Sequence, residues 1–320
     1  MSDYEHSDPF DKGMVPVGSI HQLYYEQYGK RDGKPVVYLH GGPGGHISKA
    51  NTVYFNPEIY RVVLFDQRGT GRSKPLLELR ENDTSHLLAD LETLRAHFKI
   101  RKWHMVFGGS WGSTLALLYS QAYPHAVGSL VIFGVFTATN LELNWFRDPL
   151  GVNNLFPEAH DEFLDFLSEE ERDHPNASYY KRLQSNDPKI QLEAARAWNR
   201  WELSIGWGPT ETPDFQMLDD EAWSVPHALL EAHYMVNDFW LDDGEILKSE
   251  NLAKIRDIPG TILHGRHDMV CPPKTAWRLQ RELPHLQLIW LSSGHMPFAS
   301  ETRQQLIQVC DQYADQDYSA

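Results

Sequence analysis

Five consecutive residues, Gly108 to Gly112, restrict the fold of this chain more than any other stretch, and their sequence is GGSWG. Residues 103–107 before them are aromatic and apolar, as expected of a buried strand, and 113–123 is a Leu- and Ala-rich segment that predicts a helix. A glycine turn between a strand and a helix holds the central side chain, Ser110, clear of the sheet. The pattern predicts a nucleophile elbow, although GxSxG also occurs as an ordinary turn in other parallel α/β proteins.

Apolar segments of strand length alternate with helical patterns along most of the chain. The predicted strands are 35–39, 61–65, 103–107, 129–133, 260–264 and 286–291, and the predicted helices are 85–98, 113–123 and 300–313. Residues 15–28 roughly alternate between apolar and polar side chains, which predicts antiparallel strands at a sheet edge. This order of elements indicates an α/β fold with a mostly parallel sheet and helices on both faces.

The alternation stops between about residues 137 and 247, where tryptophans and helical patterns dominate. A helical insertion between two strands of a sheet is expected to lie over the rim of that sheet. The sequence therefore predicts a core domain of residues 1–136 and 247–320 and a helical cap domain of residues 137–246.

The net charge of −15 disfavours nucleic acid and anionic membranes as partners. No segment has the length and apolarity of a membrane span, and the polar, acidic first residues lack the pattern of a signal peptide. Two cysteines, Cys271 and Cys310, are too few for a disulfide scaffold. We therefore expect a cytoplasmic protein with free thiols.

Two glycine-rich loops follow predicted strands. Residues 40–45 read HGGPGG, and a loop with so few side chains lets backbone N–H groups approach a ligand, as an oxyanion hole requires. Phosphate binding is the alternative for this loop, but the Lys and Ser/Thr of a P-loop are missing. Residues 66–73 read DQRGTGRS, and we expect Asp66 and Arg68 to form an ion pair that braces the rim of the sheet.

The other groups that a serine nucleophile needs follow it in the chain. Ser110, Asp268 and His295 occur in the order serine, acid, histidine that a GxSxG elbow requires, and the last two lie in loops just after predicted strands. All three side chains would then meet at one edge of the sheet. The resulting prediction is a Ser-His-Asp triad.

Neighbouring residues offer alternatives for the acid and the base. Asp257 precedes its strand and would emerge at the opposite edge, while His264 and His267 precede the acid. For the oxyanion hole, the backbone N–H groups of Trp111 and Gly42 are the candidates.

These motifs together resemble those of the prolyl aminopeptidases, also called proline iminopeptidases. The matching segments are HGGPGG (40–45), DQRGTGRS (66–73), GGSWGSTLAL (108–117), WE (201–202), EAHY (231–234), GRHD (265–268) and GH (294–295). The resemblance implies an α/β-hydrolase fold with a helical cap, removal of an N-terminal proline from a small peptide with a free N-terminus, and no metal or organic cofactor.

The resemblance also assigns substrate-binding residues in the predicted cap. Glu202 and Glu231 match two glutamates that hold the free imino nitrogen, and Phe136 matches an aromatic residue of the proline pocket. A secondary ammonium group that leaves water needs compensating carboxylates, which agrees with this assignment. Each glutamate could instead be an ordinary solvated residue of a helix surface.

Two positions depart from the family pattern. Phe133 replaces an arginine that the family usually carries, and Phe146 replaces a residue that is commonly tyrosine. Both replacements make the substrate site more apolar, and loss of the arginine is expected to increase repulsion between the two glutamates and so raise a carboxyl pKa.

Other functions compete with this interpretation. The apolar replacements also suit a general esterase or amidase, and a binding protein could retain the fold without the chemistry. A dehalogenase would need a carboxylate at the position of Ser110. A metal site built on His227, Glu231 and His233 is disfavoured, because only the first two share a helix face and the sequence indicates no further ligand.

Overall fold

The computed structural model describes residues 3–147, 151–297 and 300–318. Its eight-stranded sheet has the order β1-β2-β4-β3-β5-β6-β7-β8. The strands are β1 (Asp11–Val17), β2 (His21–Gly29), β3 (Lys34–Leu39), β4 (Tyr60–Phe65), β5 (Met105–Gly109), β6 (Leu130–Phe133), β7 (Gly260–Gly265) and β8 (Gln287–Leu291). Strands β3 to β8 are parallel to one another, while β1 and β2 run antiparallel to their neighbours.

Helices connect the parallel strands and fill the long interval between β6 and β7. They are α1 (Thr84–His97), α2 (Trp111–Ala122), α3 (Asn140–Arg147), α4 (Pro157–Asp165), α5 (Pro175–Leu183), α6 (Pro188–Ile205), α7 (Glu221–Val236), α8 (Ser249–Ala253), α9 (Pro273–Glu282) and α10 (Ser300–Ala314). Short 3-10 helices are Lys49–Thr52, Pro124–Ala126, Val152–Asn154, Glu169–Glu171, Gln216–Asp219, Asp238–Trp240 and Glu245–Leu247.

The central strands are buried on both faces, which explains why their sequences are continuously apolar rather than alternating. Side chains of β3 that alternate along the strand belong to two different clusters: Val37 and Leu39 pack on one face, and Val36 and Tyr38 on the other. Helices α1 and α2 cover the first face, and α10 covers the second. The structure thus confirms the predicted α/β fold.

One detail of the edge differs from the prediction. Strands β1 and β2 are antiparallel as expected, but only β1 lies at the edge, because β2 also pairs with β4. The hairpin turn between them includes Gly18 at a φ of 58°, where a residue without Cβ is favoured. The alternation of side chains in this region did not distinguish the outer strand from the inner one.

Between β6 and β7 the regular elements of the described residues are all helical. Helix α6 packs against α4, α5 and α7, so this segment has helix-on-helix contacts of its own. These observations support a cap over 137–246, and we propose that division of the chain; residues 148–150 within it lie outside the described residues. In the described part of the chain, no helix has the length and apolarity needed to cross a lipid bilayer.

Candidate active site

The turn between β5 and α2 holds Ser110 in an unusual backbone conformation, with φ 56° and ψ −128°. Space around the turn is minimal. A Cβ added at Gly109 would lie 2.1 Å from the Phe133 ring, and one added at Gly112 would lie 2.1 Å from the Leu39 carbonyl oxygen. Only glycine fits these two positions, so the structure forms the elbow that the sequence predicts.

Asp268 and His295 follow β7 and β8, and their side chains meet at the same edge of the sheet. The Nδ1 atom of His295 lies 2.8 Å from Oδ2 of Asp268. The other carboxylate oxygen of Asp268 accepts hydrogen bonds from the N–H groups of Val270 and Cys271, at 3.1 and 2.8 Å. Because Asp268 is fully buried and hydrogen-bonded on both oxygens, it fixes the imidazole ring and leaves Nε2 for chemistry.

Opposing influences set the pKa of His295. Burial lowers this pKa, but the charge of Asp268, its hydrogen bond and the charge of Glu202 together outweigh burial, so the pKa is raised above its ordinary value. Ser110 and His295 line the same cleft. A histidine of raised pKa that lines the same cleft as the serine would suit acceptance and return of a proton.

The alternative histidine next to the acid has a structural role. His264 accepts a hydrogen bond from the Val135 N–H on Nδ1, at 3.0 Å, and its Nε2 lies 2.9 Å from the Cys271 carbonyl oxygen. Burial lowers its pKa, so the ring is neutral and donates from Nε2. Both nitrogens are therefore occupied, and His264 positions the loop that carries Asp268.

The glycine loop of residues 40–45 lies against the nucleophile. A Cβ added at Gly41 would lie 3.2 Å from Cβ of Ser110, so backbone reaches the nucleophile here. Trp111 is the first residue of α2, and the helix leaves its N–H without an acceptor. Among the described residues, none accepts a hydrogen bond from the Gly42 N–H either. These features support Trp111 and Gly42 as oxyanion donors, which stays a prediction.

Hydrogen bonds tie this loop to the second glycine loop. The Gln67 N–H donates to Nε2 of His40 at 3.0 Å, and the Gln67 side-chain amide donates to the His40 carbonyl oxygen. The indole N–H of Trp111 donates in turn to Gln67 Oε1 at 3.1 Å. Burial lowers the pKa of His40 to about 3, so the ring is neutral and can accept.

The expected ion pair between Asp66 and Arg68 is wrong. Arg68 donates to both oxygens of Asp90 on α1, at 2.7 and 2.6 Å. Asp66 accepts instead from the N–H groups of Ile47 and Arg72, at 2.7 and 2.8 Å. Two residues apart on a tight loop, the carboxylate and the guanidinium face different neighbours. Both still brace the rim, each through a different partner.

A narrow pocket opens beside the nucleophile and contains the predicted cap residues. Its lining comprises Gly42, Ser110, Phe136, Glu142, Leu143, Phe146, Glu202, Glu231, Met235, Phe239, Val270 and Cys271. Phe136 meets Phe239 edge to face, with ring centroids 5.2 Å apart. We refer to this set as the narrow pocket; it brings together the serine, two of the predicted phenylalanines and both predicted glutamates.

The third carboxylate of the narrow pocket, Glu142, is already satisfied. It accepts hydrogen bonds from the backbone N–H and the hydroxyl of both Thr137 and Thr139. These donors stabilise the buried charge and hold the start of α3 against the loop after β6. Glu202 and Glu231 are therefore the carboxylates left to meet a cation in the pocket.

Glu202 lies on α6 and Glu231 on α7. Burial raises the pKa of Glu231 well above its ordinary value, and the neighbouring Glu202 charge raises it further, although a hydrogen bond from the Trp198 indole at 2.6 Å opposes both. The charged form of Glu231 is therefore disfavoured relative to that of an ordinary glutamate. Since burial is the largest cause, the repulsion expected from the missing arginine is a secondary contribution.

The predicted residue Phe133 lies elsewhere. It lines a wider cleft that also includes Ser110, together with Tyr38, Tyr54, Leu203, Met217, Trp223, His295 and Met296. We refer to this space, whose lining also includes Asn51, Glu202 and Arg303, as the wide cleft. Glu202 lines both spaces and so lies at their junction. Any contact of Phe133 with substrate is therefore expected in the wide cleft rather than at the proline ring.

One cluster in the described part of the chain has metal-ligand residue types close together. Ligand atoms of Glu202, His227 and Glu231 lie within 4.8 Å of one another. The sequence pattern had suggested His233 instead, but Tyr180 and the Asn82 carbonyl oxygen contact its two nitrogens. Glu202 lies on α6 rather than on α7, and its segment alone did not predict that it joins His227 and Glu231.

Several pocket residues were not predicted from the sequence. Val270 and Cys271 closely follow Asp268 in the chain, so their nearness to a predicted triad residue could have indicated that they line the pocket. Phe239 lies in a run of three residues with positive φ, at 46°, 55° and 51° for Asp238, Phe239 and Trp240. Aspartate enters this backbone region more readily than most residue types, but phenylalanine and tryptophan do not, so a run of three such residues could not be predicted from the sequence.

Comparison with known proteins agrees with this geometry. Residues 34–302 match the family model described as the alpha/beta hydrolase fold. An alpha/beta fold family hydrolase from Bacillus anthracis superposes with a TM-score of 0.65 at 19% identity, over 95% of this chain and 99% of that one. A putative aryl esterase from Burkholderia cenocepacia superposes with a TM-score of 0.62 at 20% identity, over 96% of this chain and 100% of that one. These matches place the chain among the α/β-hydrolases.

Sequence comparison narrows the class. The chain is 45% identical to a protein of Arabidopsis thaliana named proline iminopeptidase, over 91% of this chain and 77% of that protein. It is 41% identical to a protein of the same name from Xanthomonas citri, over 97% of this chain and 99% of that protein. A third protein of this name, from Neisseria gonorrhoeae, is 38% identical over 96% of this chain and 97% of its own length. The chain belongs to the proline iminopeptidase family.

Proposed function

We propose that this chain is a serine exopeptidase that releases an N-terminal proline from peptides. The observation that carries the proposal is that Ser110, Glu202 and Glu231 line one narrow pocket. A peptide whose charged N-terminus meets the glutamates presents its first carbonyl carbon to the serine. The relatives named proline iminopeptidase support the same substrate.

The chemistry follows from the hydrogen bonds around the triad. His295 Nε2 takes the proton of the Ser110 hydroxyl as Oγ bonds to the substrate carbonyl carbon, while Asp268 holds the ring through Nδ1. The N–H groups of Trp111 and Gly42 would stabilise the oxyanion, and loss of one such donor would cost about 3 kcal/mol. The same histidine then protonates the leaving amine as the peptide bond breaks, and water hydrolyses the acyl-enzyme.

Recognition of proline rests on charge and shape. The ammonium group of the substrate replaces its lost hydration with the two carboxyl groups, which an N-acylated chain could not do. Phe136, Phe146 and Phe239 supply flat apolar surface around the ring position.

A panel of four anilides tests the proposal: prolyl, alanyl, N-acetylprolyl and N-acetylalanyl. We expect hydrolysis of the prolyl compound to exceed that of the alanyl compound and both acetylated compounds to react at least about 100-fold more slowly, the scale of losing a buried charge pair. Equal rates on the prolyl and N-acetylprolyl compounds would contradict the role of the glutamates.

A general esterase or amidase is the second candidate, favoured by the apolar linings at Phe133 and Phe146. Such an enzyme would hydrolyse short acyl esters, with no free amine, faster than prolyl anilide. Measuring p-nitrophenyl butyrate beside the anilide panel separates the two functions.

We also propose a cytoplasmic location, with neither nucleic acid nor membrane as partner. Cys271 and Cys310 are buried free thiols, as expected in a reducing compartment, and the net charge is −15. Fractionation of cells that express the native chain, followed by detection in the membrane and supernatant fractions, tests the location.

A further inference from the structure

The wide cleft contains more space than the proposed release of one amino acid uses. Its volume is about 430 Å³, within the range of small-ligand sites. Aromatic and thioether side chains form much of its lining, including Tyr38, Tyr54, Phe133, Trp223 and Met296. A space of this kind beside a nucleophile must hold a part of the substrate that the narrow pocket does not.

The position of the base identifies that part. His295 lines the wide cleft, and the described lining of the narrow pocket does not include it. In serine hydrolysis the histidine gives its proton to the departing amine, so the leaving group lies on the histidine side of the nucleophile. The wide cleft therefore receives the residues that follow the scissile bond.

Phe133 forms the part of this lining that is next to the nucleophile. Its ring covers Gly109, the residue before Ser110, and lies 5.6 Å from the Phe107 ring centroid. Only 7% of Phe133 is exposed, so packing fixes the ring. The first side chain of the leaving peptide meets this apolar surface.

Two polar side chains of the wide cleft, Asn51 and Arg303, already have partners in the protein. Asn51 accepts from the Ser48 N–H and donates to the Tyr38 hydroxyl. Arg303 is ion-paired with Asp3 at 2.8 Å. The carboxylate of Glu202 also lines the wide cleft, where it disfavours a negative charge on the substrate nearby.

We infer that the wide cleft is a leaving-group subsite that selects peptides with an apolar or aromatic second residue, and that Phe133 determines this selectivity. The inference rests on the proposed function, because it needs proline in the narrow pocket. Burial of a phenylalanine side chain against such a surface corresponds to a gain of about 10- to 100-fold in kcat/KM over glycine. An acidic second residue loses that gain and adds repulsion from Glu202.

The test compares kcat/KM for prolinamide and the dipeptides Pro-Phe, Pro-Leu, Pro-Gly and Pro-Asp, with released proline as the readout. We expect the order Phe and Leu, then Gly, then Asp. Prolinamide has no side chain in its leaving group and reports on the narrow pocket alone. If no prolyl compound is cleaved, the proposed function fails; if all are cleaved at equal rates, only the subsite fails.

Variants then assign the selectivity. Phe133→Arg should reduce the preference for Pro-Phe over Pro-Asp at least about tenfold, and Phe133→Leu should retain most of it. Leu155→Arg is the matched control, because Leu155 is 57% exposed and its new charge lies outside the described pocket linings. An unchanged Pro-Phe to Pro-Asp ratio in folded Phe133→Arg would overturn the role of Phe133, and the wild-type panel still tests the subsite if that variant does not fold.

Discussion

One carboxyl oxygen of Glu231 accepts a hydrogen bond from the indole N–H of Trp198, and the same carboxyl group is buried next to Glu202 of the neighbouring helix. Burial and the Glu202 charge both disfavour the ionised form of Glu231. The two glutamates are therefore not equivalent toward a cationic substrate.

Replacing each glutamate by glutamine should expose this difference. Glu202→Gln should lower kcat/KM for prolyl anilide about 30- to 150-fold, a loss of about 2–3 kcal/mol, because it removes a charge from a buried cation site. Glu231→Gln resembles the protonated state and should cost less. Activity toward N-acetylprolyl anilide is the control, since neither variant should reduce it; a loss as large as that for prolyl anilide would contradict a role in binding the amine.

The triad can be tested with two histidines that differ in their predicted roles. His295→Asn should lower kcat about 10⁶-fold, whereas His267→Asn, which changes a half-buried histidine outside the triad, should retain activity. Fluorophosphonate labelling followed by peptide mapping provides the second measurement. Label should appear on Ser110 and be absent from Ser110→Ala, and equal losses in the two histidine variants would refute the assignment.

The pH profile follows from the raised pKa of His295. The reaction needs the neutral imidazole, so kcat/KM should fall as the pH drops through this pKa, at a pH above that of an ordinary histidine. Asp268→Asn removes the charge that raises the pKa and leaves burial, which lowers it. We expect kcat to fall about 10⁴-fold and the remaining acid limb to move to lower pH; movement to higher pH would contradict the electrostatic account.

The Arg68–Asp90 pair should matter for stability. Both residues are almost fully buried, and removal of the Asp90 charge leaves buried Arg68 with the more distant and partly exposed Glu81, at 3.7 Å, as its remaining ion-pair partner. Asp90→Asn should therefore lower the free energy of unfolding by about 3–5 kcal/mol. Glu78→Gln is the control, because its partner Arg80 is largely exposed and the free energy of unfolding should hardly change. Urea unfolding followed by circular dichroism measures both variants; a free energy of unfolding for Asp90→Asn close to that of wild type would contradict the prediction.

Metal removal should leave activity unchanged, because the proposed steps use Ser110, His295 and backbone donors. Dialysis against EDTA, followed by the prolyl anilide assay and elemental analysis, checks this. Loss of activity that zinc restores would point to the Glu202, His227 and Glu231 cluster and require another mechanism.

Sequence patterns predicted the parts of the site that depend on local order. A strand followed by glycines and a serine determines where the serine side chain points. Loops that follow parallel strands meet at one edge of the sheet, so the location of Ser110, Asp268 and His295 at that edge could be predicted. Assigning their roles remains a matter for the experiments above. The cap glutamates came from the family resemblance, since nothing in their own segments shows that α6 and α7 face each other.

The remainder depended on contacts between distant segments. Asp66 and Arg68 are adjacent to the same turn, yet Arg68 pairs with Asp90 on another element. The lining of the wide cleft combines Tyr54, Phe133 and Trp223, which lie far apart in the chain, and each reads in sequence as an ordinary core aromatic. Only the packed structure brings them together.

Because the glycines of the elbow are so tightly packed, substitution of the serine and substitution of these glycines have different consequences for the fold. In the proposed mechanism, a single change at Ser110 would abolish catalysis and leave the strand and helix in place, whereas any side chain at Gly109 or Gly112 would collide with Phe133 or Leu39. During evolution a descendant could thus become an inactive receptor for peptide termini in one step. Reversing that step would need only the serine, so such pseudoenzymes would stay one mutation from regained activity.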